Sequence, residues 1–242
     1  MSSNRIAWLT PTDPANAFPP VDAALAEPDG LLAAGGDLSV DRLVEAYTRG
    51  IFPWYDSGQP ILWWSPDPRC VLRPSAYHLS RRFRRSLRQS DASVSFNREF
   101  AAVMDACAAP RPGQPGTWIT DEMHGAYRGL HAAGWAHSVE VWEEDQLIGG
   151  LYGVVIGRMM FAESMFTART GGSKIALAAL CAVLEEHAFP LIDCQVVSGH
   201  LLRIGAERIP RRRFVEQLGE ATAGRAPFEA WPKAPIAARE LG

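Results

Sequence analysis

Asp193 and Gln195 stand two residues apart in the apolar run Leu191-Ile192-Asp193-Cys194-Gln195-Val196. In a strand that spacing sends both to one face and Ile192, Cys194 and Val196 to the other. A carboxylate in such a run needs a hydrogen-bond partner or a task, because burying it bare is costly. With Gln195 on the same face it can serve a function, and it can equally be a satisfied structural aspartate at a strand end. Glu163 interrupts a second greasy strand, Met159-Met160-Phe161-Ala162-Glu163-Ser164-Met165-Phe166, where it shares a face with Phe161 and Met165. A lone acid in that wall describes a pocket that accepts an apolar side chain and holds a cation such as an amine. The alternative is a buried glutamate paired with an arginine.

Arg81, Arg82, Arg84, Arg85 and Arg88 form a cluster of one sign with no interleaved acid. That pattern suits phosphate contacts, although a charge run is also the composition of a solvated face. Arg211-Arg212-Arg213 is a weaker second cluster. Trp54, Trp63, Trp64 and Trp118 offer flat faces that stack on an unpaired base or fill a core. Gly171-Gly172-Ser173-Lys174 at a helix start can hold an anion on backbone amides, without being the phosphate loop of the nucleotide hydrolases. The six histidines show no ligand spacing, and no serine or cysteine nucleophile motif is present. Cys70, Cys107, Cys181 and Cys194 lie too far apart in the chain for metal or redox spacing, so they read as small buried apolar residues. No metal and no cofactor is expected.

These residues need elements to hold them. Prolines and glycines over 11–39 describe short strands and turns. A helix then follows, capped by Ser39, with Val40, Leu43, Val44 and Tyr47 on one face and Gly50 at its end. A proline-broken aromatic stretch leads to an expected boundary between a small N-terminal domain, 1–69, and a larger domain, 70–242. The larger part opens with the basic segment 80–88 and a strand over 92–96. Two amphipathic helices come next. Asn97 is the expected cap of the first, which buries Phe100, Val103, Met104 and Cys107; Thr120 caps the second, which buries Met123, Ala126, Tyr127 and Leu130. Strands over 137–143, 146–156 and 158–166 follow with tight turns, which predicts an antiparallel meander. A helix from about 173, burying Leu177, Leu180, Cys181 and Leu184, precedes a strand over 190–197. The tail after Arg225 is expected to be loosely ordered.

The fold class is therefore α+β (mixed α/β) with a mostly antiparallel sheet. Meander, helix and strand in that order match the acyltransferase fold of the acetyl-CoA-dependent N-acetyltransferases, an analogy that assigns no substrate. At 242 residues, 47% hydrophobic and 21% charged, the chain has the balance of an ordinary globular protein. A net charge of -3 rules against generic polyanion binding and leaves nucleic-acid contact to a local patch. No apolar run approaches the roughly 20 residues of a membrane span, and residues 1–5 lack a charged-then-greasy leader. The expectation is a cytoplasmic protein without a membrane partner.

Several blocks carry a resemblance when taken in order. They are Gly30-Leu31-Leu32-Ala33-Ala34-Gly35-Gly36-Asp37-Leu38-Ser39, Tyr47-Thr48-Arg49-Gly50-Ile51-Phe52-Pro53-Trp54, Trp63-Trp64-Ser65-Pro66-Asp67-Pro68-Arg69, Gly116-Thr117-Trp118-Ile119-Thr120, Phe161-Ala162-Glu163-Ser164-Met165-Phe166 and Asp193-Cys194-Gln195. Together with 137–142 and 149–154, they closely resemble the bacterial leucyl/phenylalanyl-tRNA–protein transferases from about residue 18 to 218.

The resemblance implies a small N-terminal domain beside an N-acetyltransferase-like one. It implies transfer of Leu or Phe, with Met tolerated, from Leu-tRNA, Phe-tRNA or Met-tRNA to proteins beginning with Arg or Lys, marking them for degradation. Carried onto matching positions, Asp193 helps deprotonate the amine and Gln195 positions the reacting groups. Glu163 matches the pocket carboxylate, Trp54 and Trp118 match the walls around the terminal adenosine, and the arginines 81–88 match the acceptor-stem cluster. Leu151, Met160, Leu180 and Ile192 take the apolar pocket positions. At Leu151, Met160 and Leu180 some relatives are expected to carry Met or an aromatic, which leaves the Leu/Phe preference open. Gly171-Gly172 before Ser173-Lys174 and Val197-Ser198-Gly199 before His200 also depart from the family pattern. Two rival readings remain at this level: an acetyl-CoA-dependent N-acetyltransferase, whose glycine loop is matched only in part by 169–174, and a non-catalytic RNA-binding protein.

Overall fold

A computed structural model describes residues 6–110 and 117–242. Gly116, in one of the family-like blocks, and the first five residues lie outside the described residues. The N-terminal part forms a four-stranded sheet from β1 (Ala7–Leu9), β2 (Leu31–Gly35), β3 (Phe52–Pro53) and β4 (Leu62–Trp64), in the order β1-β2-β4-β3. Helix α1 (Val40–Thr48) lies between β2 and β3, with the Ser39 side chain accepting from the Arg42 amide as expected.

The remainder builds an eight-stranded sheet. Its elements in chain order are β5 (Arg69–Leu72), α2 (Arg81–Leu87), β6 (Ser93–Phe96), α3 (Phe100–Ala108), α4 (Asp121–Ala132), β7 (Ala136–Glu143), β8 (Gln146–Ile156), β9 (Met159–Thr167), α5 (Gly172–Glu186), β10 (Leu191–Gln195), α6 (Gly199–Arg203), β11 (Glu207–Ile209), α7 (Arg211–Ala221) and β12 (Ile236–Ala237). The strand order is β11-β5-β10-β9-β8-β7-β6-β12. Strands β7, β8 and β9 make the expected antiparallel meander. The β9/β10 pair is parallel, because the chain crosses over through α5, while the other neighbours run antiparallel.

Two apolar layers sandwich the large sheet. One face packs on α3, α4 and α7 together with Leu43, Ala46 and Tyr47 of α1, so this core runs continuously into the N-terminal sheet. The other face packs on α5. Close approach of α5 to the sheet depends on two glycines. A Cβ on Gly149 of β8 would lie 2.4 Å from the Gly172 carbonyl carbon, and one on Gly172 would lie 2.4 Å from the Ile148 oxygen. Gly172 therefore answers a packing demand at the position where the family pattern was departed from.

Two local expectations are corrected. Asn97 does not cap α3; it adopts φ 59, and its side-chain oxygen accepts from the Ser138 amide, tying the helix entry to β7. The tail is not loose: Trp231 stacks on Phe96 with centroids 5.4 Å apart, β12 pairs with β6, and Ala238 is fully buried. Its apolar residues cover a sheet edge that would otherwise be exposed. Thr120 does cap α4, accepting from the Met123 amide. No helix among the described residues is long and apolar enough to cross a membrane.

Candidate active site

The site is built where two strands break their own ladders. In β9 the register with β8 passes from Ser164 opposite Tyr152 to Ala162 opposite Gly153, so Glu163 is an extra, bulged residue. In β10 the register with β5 passes from Asp193 opposite Val71 to Gln195 opposite Cys70, so Cys194 is bulged. Gln195 follows with φ 59, a backbone conformation that non-glycine residues rarely adopt and that clusters at functional sites. The two bulges lie on neighbouring strands and re-aim side chains into one hollow.

That hollow has a volume of about 250 Å³. Its greasy wall comes from Leu72, Leu151, Met165, Leu177, Ile192 and Leu201, and Glu163, Gln195 and Cys194 supply its polar and thiol groups. Gln195 Nε2 donates to Glu163 Oε1 at 2.8 Å. Tyr47 of α1 donates to the same oxygen at 2.7 Å, Tyr127 of α4 donates to Oε2 at 2.9 Å, and the two tyrosine hydroxyls touch each other. Burial pushes the Glu163 carboxyl up to about 7, against the opposing pull of these three donors. Burial and the adjacent carboxylate hold Tyr47 and Tyr127 well above the usual phenol range, so both remain hydrogen donors.

Asp193 faces the other way. The bulge at Cys194 places Asp193 and Gln195 opposite consecutive residues of β5, so the shared face expected from period-two spacing is lost. Arg69 Nε donates to Asp193 Oδ1 at 2.8 Å and Arg69 Nη2 to Oδ2 at 2.6 Å, and both side chains are fully buried. Oδ1 also accepts from the Gln195 amide at 2.9 Å. Arg69 Nη1 donates to the Gly50 oxygen, and the guanidinium lies over the rings of Phe52 and Phe214. Asp193 thus touches the hollow through the backbone of Gln195, and its charge also helps to raise the Glu163 carboxyl.

Of the expected pocket residues, Glu163, Leu151, Ile192 and Gln195 line the hollow together. Met160 and Leu180 do not: both are buried between sheet and α5. Met165, which shares the α5 side of the sheet with Ala162, and Leu177, one turn before Leu180, stand in their places. Neither tryptophan lines the hollow. Trp54 is 44% exposed and tilted against Trp64, and Trp118 packs on the core ahead of α4. Arg81, Arg82, Arg84 and Arg85 on α2 and Arg88 at its C-terminal end are all exposed, outside every ion pair among the described residues. Phe83 of α2 sits against Gly171, and Lys174 lies over its ring, so the cluster flanks the start of α5, whose Leu177 lines the hollow. The second cluster is partly engaged: Arg211 donates to the Ser65 oxygen and Arg212 pairs with Glu216. The Ser173 amide at the start of α5 is likewise taken, by Thr167.

Sequence reasoning missed Arg69, Tyr47 and Tyr127 as site residues. Both tyrosines were legible as buried helix positions, and their hydroxyls were the available signal, since a buried O–H needs a partner. Arg69, a cation opening a run of buried apolar residues, carried a similar signal.

Comparison with known proteins settles the relationship. The leucyl/phenylalanyl-tRNA protein transferase family matches residues 71–219, and its N-terminal domain matches residues 36–67. The chain belongs to this family. The leucyl/phenylalanyl-tRNA–protein transferase of Xanthomonas campestris pv. campestris (strain B100) is 54% identical over 95% of this chain and 92% of its own. That of Xanthomonas euvesicatoria is 58% identical over 88% and 86%, and that of Xylella fastidiosa (strain M23) is 60% identical over 86% and 85%. The two family matches thus take in α1, β3 and β4 of the N-terminal part along with the hollow.

Proposed function

We propose that this chain transfers leucine or phenylalanine, and also methionine, from aminoacyl-tRNA to the N-terminal Arg or Lys of acceptor proteins. The observation that carries the reading is an apolar hollow sized for one side chain with Glu163 and Gln195 bonded to each other on its wall. Its 250 Å³ falls below the roughly 300–1,000 Å³ of sites for drug-sized ligands. An apolar wall separates side chains by only about 1–3 kcal/mol per methylene, which accounts for tolerance among Leu, Phe and Met.

The acceptor's amine nitrogen attacks the ester carbonyl carbon, the ribose oxygen leaves, and the amine sheds a proton. The ester is already activated, so orientation and electrostatics suffice, with no cofactor. Gln195 orients the reacting groups, and ionised Glu163 holds the positive amine or receives its proton. The deprotonating role that the resemblance gives to Asp193 does not suit a carboxylate locked by Arg69 and removed from the hollow. Asp193 is better read as holding the strained Gln195 backbone in place. Trp54 and Trp118 keep their role towards the terminal adenosine as a proposal on the resemblance. The division into 1–69 and 70–242 and an N-acetyltransferase-like large sheet belong to the same reading, the latter supported by the meander, the α5 crossover and the parallel β9/β10 pair.

Labelled Leu-tRNA incubated with a peptide beginning with Arg should deliver label to the peptide; label remaining on tRNA would refute the reading. The basic helix has its own test. Reversing Arg81, Arg82, Arg84 and Arg85 to Glu should raise KM for charged tRNA and flatten its salt dependence, since each lost phosphate contact removes about 0.7–0.9 from the log–log slope. Unchanged use of full-length charged tRNA would remove these arginines from the tRNA path.

A further inference from the structure

Cys194, the residue bulged out of β10, has a second thiol facing it. Cys70 on β5 stands opposite the bulge, fully buried in the α5 layer, while Cys194 is partly exposed on the wall of the hollow. Cys194 draws the Cys70 thiol below its usual range against the opposing effect of burial, with the Ser198 backbone adding to the pull. Gln195 is the next residue along. Cα atoms of opposed residues in an antiparallel ladder lie roughly 4.5–5.5 Å apart. That is inside the roughly 4.4–6.8 Å that a disulfide spans, and a bulged residue shares its partner with its neighbour.

We propose that Cys70 and Cys194 form an oxidant-sensitive dithiol, which hydrogen peroxide entering through the hollow converts to a disulfide that stops transfer. The Cys194 sulfur attacks peroxide, the O–O bond breaks, and Cys194 becomes a sulfenic acid as one water departs. The Cys70 sulfur then displaces the second oxygen as water and forms the S–S bond. Two thiols and one peroxide give one disulfide and two waters, the peroxide being the oxidant. Cys194 reacts first because it lines the hollow; the bond to Cys70 and burial hold its thiol well above the usual range, so its proton passes to the Cys70 sulfur as it attacks, and Cys70 then resolves the sulfenic acid. The new bond ties the bulge to β5 and shifts the backbone of Gln195. In a reducing compartment such a bond is transient, as sensing disulfides are.

Oxidation of the full-length protein with hydrogen peroxide, followed by peptide mass mapping without reduction, reads the bond directly. A Cys70–Cys194 cross-link two hydrogens lighter than the free pair is expected. Transfer should fall about a hundredfold, the cost of a small displacement at a reacting group. Dithiothreitol should reverse both changes. Cys70→Ala should transfer normally when reduced and show no cross-link and no thiol-reversible loss, whereas Cys181→Ala should respond as wild type. A Cys181–Cys194 link, no link in the wild type, or a thiol-reversible loss that persists in Cys70→Ala would overturn the proposal. The loss of activity rests on the transferase reading, but the cross-link does not. A protein that cross-links without ever transferring would leave the dithiol standing and sink the transferase.

Discussion

Asp193→Asn should unfold in urea about 3–5 kcal/mol more easily than wild type and lose transfer activity about a hundredfold. Arg69 and Asp193 are both fully buried and bonded through two contacts. Removing the negative charge leaves a guanidinium stranded between Phe52 and Phe214 with neutral oxygens, those of Gly50 and of the substituted amide, beside it. The activity falls for a different reason: the Gln195 amide loses a charged acceptor, and its strained backbone is no longer held. The two losses are separable. In an Arg69→Met, Asp193→Leu double variant, apolar packing replaces the ion pair, which is often neutral or stabilising, so most of the stability should return. Transfer should not. An Asp193→Asn protein as stable as wild type yet inactive would put the carboxylate in the proton transfer itself and end the positioning role.

Glu163→Gln should abolish the pH response of transfer as well as most of its rate, a loss of about 10²–10⁴-fold expected on removing an acid–base group. With its carboxyl at about 7, Glu163 is protonated below neutrality and charged above it, so wild-type transfer should rise through pH 7. The stability runs in the opposite direction. The folded state binds the proton more tightly than the unfolded chain, whose carboxyl titrates at the ordinary glutamate value of 4.5. The stabilising contribution is therefore whole below about 4.5 and is lost as pH rises to about 7. The decline is on the order of 3 kcal/mol. Melting temperatures of wild type and Glu163→Gln measured from pH 5 to 8 should diverge, with the variant the steadier. Parallel curves, or a wild-type rate flat across neutrality, would remove Glu163 from the titration.

Periodicity made much of the frame readable in the sequence. The apolar spacing of 40–47 gave α1, the short turns at 144–145 and 157 gave the meander, and Thr120 marked the start of α4. What failed was the assumption that a strand keeps its alternation. Single inserted residues in β9 and β10 separate Asp193 from Gln195 and turn Met165 to the α5 side of the sheet, away from Phe161. No local signal marks such an insertion, because the ladder breaks only against its neighbour. Leu180 and Leu177 share a helix face, so spacing alone could not tell which meets the hollow. The contacts of Arg69 with Asp193 and of Cys70 with Cys194 join strands distant in the chain, and only the sheet order brings them together. Glu163 itself was legible as an anomaly, since an acid among Phe and Met demands a reason.

The hydroxyl of Tyr47 comes from a helix packed between the two sheets, and its partner is a carboxylate on the larger one. An eight-stranded fragment cut free at residue 69 would forfeit one of the three donors that make ionisation tolerable there, along with the Gly50 oxygen that steadies Arg69. The smaller segment is thus a contributor of solvation to the reaction, and any transplant of this chemistry to another scaffold must bring that phenol with it.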